Sequence, residues 1–351
     1  MFITKKNWKS MSKTYKISQA KIEDRENIMQ FIDKFWRPNH ILAKDKDFFN
    51  YEHLNGDNIN FFLAKDIKSS EILAIQGFIP YGSDPNSHIC GVISRVHPNS
   101  KIPLLGVELM KKMLEHTSPK TYCGIGTNPK TMLPLVKRFF KRSTGVMDQF
   151  FILNPEISEF KIAYIPDNYK KIIQNQKKAT EIIEHKLINE RQLNKNFSLI
   201  KVSNKLPVKN LNYIIKRYFN HPRYKYNCYL LKKNKNFSLL VTRQIICNGR
   251  KIIRIIDFIG ELEFLGYLRN WAASMLSNSK YEYIDILTAG LDKKILYRSG
   301  FYEKKHNQEI VIPTYFEPFV KENIDIHYEK SDDKIVIFKG DADGDRPNKL
   351  N

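Results

Sequence analysis

Cysteine is scarce: Cys90, Cys123, Cys228 and Cys247 are the four in 351 residues, and they stand far apart among apolar or strand-like neighbours. That spacing supplies neither a CxxC zinc pair nor a dense disulfide framework, and it fits a reducing, cytoplasmic setting. Glycine and proline, 15 residues each, are too few for collagen-like or low-complexity chain. No apolar run approaches the ~20 residues of a membrane span. The opening MFITKKNWKSMSKTYK is basic but lacks the apolar centre of a signal peptide. GxSxG, Walker A, HExxH and the glycine fingerprint of dinucleotide-binding folds are absent, which sets aside serine hydrolases, P-loop nucleotidases, zincins and ordinary nicotinamide dehydrogenases. Acidic residues are also short, 37 against 58 Lys and Arg, leaving a net charge of +21.

What is present is a folding composition: 42% hydrophobic, 12% aromatic and 27% charged residues. A single core rarely grows past ~250 residues, so two domains are expected. The positive field attracts phosphate-bearing partners, whether nucleic acid, nucleotide-linked metabolites, coenzyme A or an anionic membrane surface, without choosing among them. Lysines spread over solvated faces by codon bias give the same surplus.

The hydrophobic pattern predicts an α/β chain. A strand over 15–22 leads into an amphipathic helix through Ile28, Phe31, Ile32 and Phe35, and strands over 60–65, 72–79 and 88–96 read as a meander. A helix (104–114), a strand (122–126), a helix (130–140) and a strand (146–153) follow. Residues 161–195 are polar and Lys-rich with a sparse Ile/Leu stripe, a linking helix or arm between domains over 1–160 and 196–351. The order recurs in the second half, where segments starting at 251, 262, 281 and 291 answer those at 87, 104, 121 and 129. Two diverged copies of one fold explain that register most simply.

Between the fourth strand and its helix stands VHPNSKIPLLGVELM, residues 96–110. It resembles the acyl-CoA motif of the GNAT superfamily of N-acetyltransferases, V-x-P-x-x-[QR]-x-x-G-x-[GA]-x-x-L. Val96, Pro98, Gly106 and Leu109 keep register, Lys101 takes the Gln/Arg position and Leu104 that of the first Gly. Such a loop works through unpaired amides and the dipole at a helix N-terminus, which accept a pyrophosphate. The resemblance implies two tandem GNAT-like domains, each a mixed, mostly antiparallel sheet flanked by helices. It implies acetyl-CoA or another acyl-CoA as donor, held by Val96, Lys101, Leu104, Leu105, Gly106 and Asn128, the Asn that follows the fifth strand. LYRSGF (296–301) is similar to the family's LYxxxGF, whose Tyr protonates the departing thiolate; Tyr297 would be that acid, one residue nearer its Gly than in the family. The second half offers GELEFLG (260–266) where a phosphate loop would stand, and Glu261 and Glu263 would repel pyrophosphate.

WRPNHIL (36–42), FFNYEH (48–53), HPRYKY (221–226), RIIDFIG (254–260) and KGDADGDRPN (339–348) resemble, together, tandem GNAT-like proteins of bacterial surface-polysaccharide and lipopolysaccharide gene clusters. That resemblance implies a transferase of polysaccharide biosynthesis.

Acyl transfer needs a base for the acceptor and an acid for the thiolate. His221, in an aromatic turn, and Asp257, in an apolar strand, join Tyr297 as catalytic candidates, with Glu261 and His40 behind them. Each has a plain alternative: a turn-capping histidine, a buried structural carboxylate, an aromatic packed on the sheet. Asp257 needs a partner, and Arg254, three residues along a strand, points to the opposite face. Trp36, Arg37 and His40 suit a sugar ring or nucleotide base, or else pack a core; Tyr226 joins them as a substrate-binding candidate. The tail D-x-D-x-D begins like a calcium loop but lacks the glycine and the final Glu, so no metal site is expected. It either folds back, placing Asp343 and Arg346 on a sugar or phosphate, or stays solvated.

The expected function is acyl transfer from coenzyme A to an amino or hydroxyl group of a nucleotide-linked sugar or glycan precursor. Two alternatives stand. One is an aminoacyl-tRNA-dependent transferase like those of the peptidoglycan bridge, in which the +21 charge would meet nucleic acid; the other is a non-catalytic glycan-binding or scaffold module.

Overall fold

The computed structural model describes residues 14–83, 86–174, 182–201, 205–277, 281–305 and 309–349. Most of the basic N-terminal segment, the centre of the YGSDPNS turn and residues 175–181 of the polar arm lie outside the described residues.

The strands are β1 Tyr15–Lys21, β2 Leu54–Asn55, β3 Asn58–Asp66, β4 Ile72–Pro80, β5 Ile89–Val96, β6 Tyr122–Ile125, β7 Ser143–Val146 and β8 Asp148–Leu153. They continue with β9 Glu184–Ile188, β10 Asn227–Lys233, β11 Asn236–Cys247, β12 Arg250–Ile259, β13 Tyr281–Ala289, β14 Tyr302–Glu303, β15 His327–Lys330 and β16 Ile337–Phe338. The helices are α1 Arg25–Phe31, α2 Ile41–Lys44, α3 Lys46–His53, α4 Leu105–Thr117, α5 Met132–Phe140, α6 Asp167–Gln174, α7 Glu190–Asn196, α8 Leu211–Ile214, α9 Arg269–Leu276 and α10 Lys293–Arg298.

Two mixed sheets of eight strands result. The first runs β1-β3-β4-β5-β6-β15-β7 with β2 beside β3, the second β14-β8-β13-β12-β11-β10-β9 with β16 beside β13. In each, one parallel pair, β5–β6 or β12–β13, is joined by a helical crossover, α4 or α9. The strand-helix-strand-helix order read twice from the sequence is therefore present as β5-α4-β6-α5 and β12-α9-β13-α10.

The sheets do not each draw on one half of the sequence. The segment read as one strand over 146–153 is two, β7 in the first sheet and β8 in the second, where β8 pairs with β13 and β14. In return β15 lies between β6 and β7. By compactness the chain divides into one unit of residues up to Phe78 with Val92–Ser118 and another of Ile79–Gly91 with Pro119–Lys349. The polar segment 161–195 carries α6, β9 and part of α7 within the second unit, and β9 pairs with β10.

In the first unit the amphipathic spacing of α1 buries Ile28 and Phe31, and Ile32 just after it, with Phe48 and Phe49 of α3 against Ile59, Phe61 and Leu63 of β3. In the second, β12 reads KIIRIIDFI and is buried on both faces, as a central strand covered on two sides must be. Its core partners include Trp271, Ile284, Ile286 and Phe301. Among the described residues no helix is long and apolar enough to cross a membrane, and no three His, Cys, Asp or Glu side chains are grouped to hold a metal ion.

Candidate active site

In the first unit, the chain leaves β5 at Val96 and turns into α4 through Leu104. Leu104 is left-handed, φ 56° and ψ 22°, and its side chain is 53% exposed. Glycine takes that backbone freely, whereas a side chain makes it strained; this is the position of the motif's first Gly. The amides of Leu105 and Gly106 fall in the first helical turn, where no intrahelical acceptor exists. A Cβ added at Gly106 would stand 3.2 Å from Val96 Cγ2, so strand end and helix start nearly touch. Leu105 is buried with the α4 core face, and Lys101 is exposed in the turn. Val96, Lys101, Leu104, Leu105 and Gly106 thus lie along one turn from β5 into α4.

Trp36, Arg37 and His40 also come together. The Arg37 guanidinium carbon lies 5.6 Å from the Trp36 ring centre and the His40 ring 4.9 Å from it, edge-on. His40 is fully buried and caps α2, its Nδ1 accepting from Leu42 N–H at 3.2 Å, while Arg37 is exposed.

In the second unit Asn128 closes a turn: Oδ1 accepts from the amides of Lys130 (2.9 Å) and Thr131 (3.1 Å), just before α5. Tyr297, on α10, donates its hydroxyl to Glu303 and meets Phe150 edge-on at 5.6 Å. Burial and then the Glu303 hydrogen bond push its pKa up to about 12. Lys293 bridges Glu303 and Asp148, each at 2.7 Å. Gly300, φ 77°, turns the chain out of α10. The acidic pair of the 260–266 loop is neutralised: Glu263 pairs with Arg298, and Glu261 lies 4.0 Å from Lys201 and 3.5 Å from Asn236 Nδ2.

Asp257 is fully buried, and its partner is Lys209. The Lys209 ammonium lies 2.5 and 2.7 Å from the Asp257 oxygens and 2.6 Å from Asp341. Tyr218 donates to Asp257 at 2.6 Å, as does the Phe258 amide at 2.8 Å. Burial opposes the Lys209 charge, but the two carboxylates outweigh it and hold its pKa above the usual lysine value. Burial raises Asp341, with Lys209 pulling back and Asp257 adding to the rise. Arg254 belongs to another buried pair, gripping Asp285 at 2.9 and 2.6 Å.

The tail folds inward. Asp345 accepts two hydrogen bonds from Arg243 and one from Tyr226 at 3.0 Å, and its carbonyl accepts from Arg217 at 2.6 Å. Arg346 pairs with Asp343 at 2.6 Å. A Cβ at Gly340 would fall 2.3 Å from Ile256 Cγ2, so the tail rests directly on β12. His221 stacks on Tyr224, and its Nδ1 accepts from the amides of Arg223 (3.1 Å) and Tyr224 (2.9 Å). Burial, then the Arg217 charge, lowers its pKa to about 3. The proton of this neutral ring therefore sits on Nε2, and Nδ1 is occupied: His221 as placed holds a turn and has no lone pair to offer an acceptor.

Asp257, Tyr218, Tyr226 and His221 make one chain of contacts, with Tyr226 5.2 Å from Tyr218 and 5.6 Å from His221 between ring centres. Tyr297 makes its contacts elsewhere. No protein-family model and no curated sequence matches the chain. Among solved structures, a probable N-acyltransferase of unknown function from Enterococcus faecalis aligns over 90% of this chain and 72% of its own, with TM-score 0.53 and 8% identity. A GCN5-related N-acetyltransferase from Anabaena variabilis aligns over the same shares, with TM-score 0.52 and 10% identity. The chain has a tandem GNAT-like fold. Saccharomyces cerevisiae N-myristoyltransferase with bound myristoyl-CoA and inhibitors also aligns, over 93% of this chain and 82% of its own, at TM-score 0.47 and 10% identity.

Against this GNAT-like frame, the residues that sequence reasoning missed are cations: Lys209, Arg217, Arg243 and Lys339. Lys339 is buried, and burial lowers its pKa to about 8 even beside Asp345. The available signal was the acidic tail itself, whose carboxylates required partners once buried.

Proposed function

We propose that the chain is an acyl-CoA-dependent acyltransferase. The carrying observation is Leu104: the chain keeps a glycine-type backbone there, immediately before the amides of Leu105 and Gly106, although it has lost the glycine. Those amides would hold the pyrophosphate with Lys101 adding charge, the arrangement by which a helix start receives phosphate. The GNAT-like fold of the aligned acyltransferases supports the same reading.

The acceptor we propose is an amino or hydroxyl group of a nucleotide-linked sugar or glycan precursor in bacterial surface-polysaccharide synthesis. The exposed guanidinium of Arg37 beside the Trp36 indole supports it, since an aromatic face with a cation suits a sugar carrying phosphate. Tyr297 remains protonated over the physiological range, as an acid for the thiolate must, and its hydroxyl donates to Glu303.

Calorimetric titration with acetyl-CoA tests the reading. Wild type is expected to bind, and Gly106→Trp, checked for an unchanged fold by circular dichroism, to lose binding. A wild-type chain that binds neither acetyl-CoA nor a longer acyl-CoA overturns it.

A further inference from the structure

The second unit contains a cavity of about 180 Å³ at the end of β8, bordered by Asp148, Gln149, Lys293, Glu303, Lys304 and Asp325. Two of its groups are uncommitted. Gln149 is 2% exposed, and among the described residues its Oε1 has no hydrogen-bond partner. Among the described residues, no hydrogen bond or ion pair reaches the Lys304 ammonium.

The amide of Gln149 cannot be turned round. Its Nε2 donates to Asp285 Oδ2 at 2.9 Å, and that carboxylate is itself held by Arg254. Reversing the amide would set Oε1 against a carboxylate oxygen, two acceptors face to face. The network therefore fixes an acceptor that no described residue uses, and a buried acceptor left without a donor is costly. Lys304 is its neighbour: the Lys304 amide donates to the Gln149 carbonyl at 2.9 Å, extending the β14–β8 register by one residue. Residues opposed in that way send their side chains to the same face. Burial lowers the Lys304 pKa against the pull of Asp325 and Asp285, so its charge is short of solvation.

The cavity thus asks for one N–H or O–H donor and one anion. Its three lysines, Lys293, Lys304 and Lys305, face three carboxylates, Asp148, Glu303 and Asp325, so it favours an occupant without net charge. A cavity of roughly 150 Å³ accommodates benzene, which limits the occupant to about six to eight non-hydrogen atoms.

We propose that this cavity binds a free α-amino acid, its carboxylate on Lys304 and its ammonium donating to Gln149 Oε1. The cavity shares Glu303 with the proposed acid Tyr297, but the inference rests on Gln149 and Lys304 and stands whether or not the acyl-CoA reading holds.

Calorimetry of the full chain with L-alanine and L-serine tests it, beside L-serine methyl ester, N-acetyl-L-serine and the variant Lys304→Met. The free amino acids are expected to bind and the ester, which lacks the carboxylate, to fail. Lys304→Met is expected to lose about tenfold or more in affinity, the worth of a charged hydrogen bond. Its thermal midpoint should equal or exceed the wild-type value, since a poorly solvated charge is replaced by an apolar chain of like shape. N-acetyl-L-serine, larger and carrying a net negative charge, is expected to fail, and its binding as well as L-serine overturns the proposal. Absence of binding by every carboxylated probe, or equal binding by wild type and Lys304→Met, overturns the proposal.

Discussion

Arg243 grips Asp345 through two parallel hydrogen bonds, Nε to Oδ2 at 2.8 Å and Nη2 to Oδ1 at 2.7 Å, and so ties the tail to β11. Burial raises the carboxyl pKa of Asp345, but Arg243 outweighs it and holds that pKa far below the ordinary carboxylate range. Breaking a buried pair from one side leaves the other charge bare. Asp345→Ala should cost about 3–5 kcal/mol in denaturant unfolding. The folded pKa is depressed, so the contribution is complete above the unfolded value near pH 4 and fades as pH falls toward the folded one. Wild type should therefore lose stability more steeply than Asp345→Asn below about pH 4. Parallel acid profiles would exclude the ion pair as a stabilising element.

The Lys209 site makes a comparable prediction with a different control. Lys209→Met leaves Asp257 and Asp341 buried side by side and should cost about 3–5 kcal/mol. Adding Asp257→Asn and Asp341→Asn removes both stranded charges and should recover part of that loss, because the cost lies in uncompensated charge. A triple variant as unstable as the single one would show that shape, not charge, is what Lys209 supplies.

That site also marks where sequence reasoning stops. Strand β12 was legible because an apolar run broken by Arg and Asp has one natural place, a covered central strand whose charges find partners. The partners were not legible. Lys209, in LPVKNLNYI, has the composition of a solvated turn, and its burial follows from Asp257 and Asp341 arriving from distant parts of the chain. DADGDR likewise leaves a folded-back and a solvated tail both open until Arg243 and Arg217 are known to wait for it. The exchange of β8 and β15 between sheets was hidden for another reason: a strand of four residues, HYEK, carries too little pattern to select its neighbours. The strand end, turn and helix start over 96–110 were legible because they are local in sequence. The strain at Leu104 was not, since φ is not written in residue type.

His221 supplies a pH prediction of its own. With a folded pKa of about 3 and an unfolded one near 6.5, the folded state refuses a proton that the unfolded state accepts. Stability should therefore begin to fall as pH drops below about 6.5, and His221→Asn, which keeps an acceptor near the Nδ1 position, should remove that part of the slope. In NMR the His221 ring should not titrate between about pH 8 and 5. Titration near 6.5 would return it to the list of candidate bases.

Leu104→Gly should be tolerated and useful. The side chain is exposed, so no core packing is lost, and relief of the left-handed backbone, about 1–2 kcal/mol, exceeds the entropic cost of glycine, about 0.5–1 kcal/mol. Thermal unfolding should shift upward slightly, and acetyl-CoA affinity should rise as the turn opens. A rise in midpoint without a change in affinity would mean that the loop's shape is kept for the turn alone.

Tyr297→Phe separates chemistry from packing. The ring meets Phe150 edge-on and is retained, while the hydroxyl that donates to Glu303 is removed from a half-exposed position, so the thermal midpoint should barely move. If the hydroxyl protonates the departing thiolate, kcat for acyl transfer should fall about 100-fold or more at unchanged KM for the donor, the range general acids contribute. Glu303→Gln would sharpen the result. It removes the carboxylate that raises the Tyr297 pKa and accepts its hydrogen bond, so the hydroxyl becomes a stronger acid and the rate should hold or rise, with any ionisation of Tyr297 moved to lower pH. A Tyr297→Phe chain that turns over at the wild-type rate assigns the ring to the sheet and moves the search for the acid elsewhere.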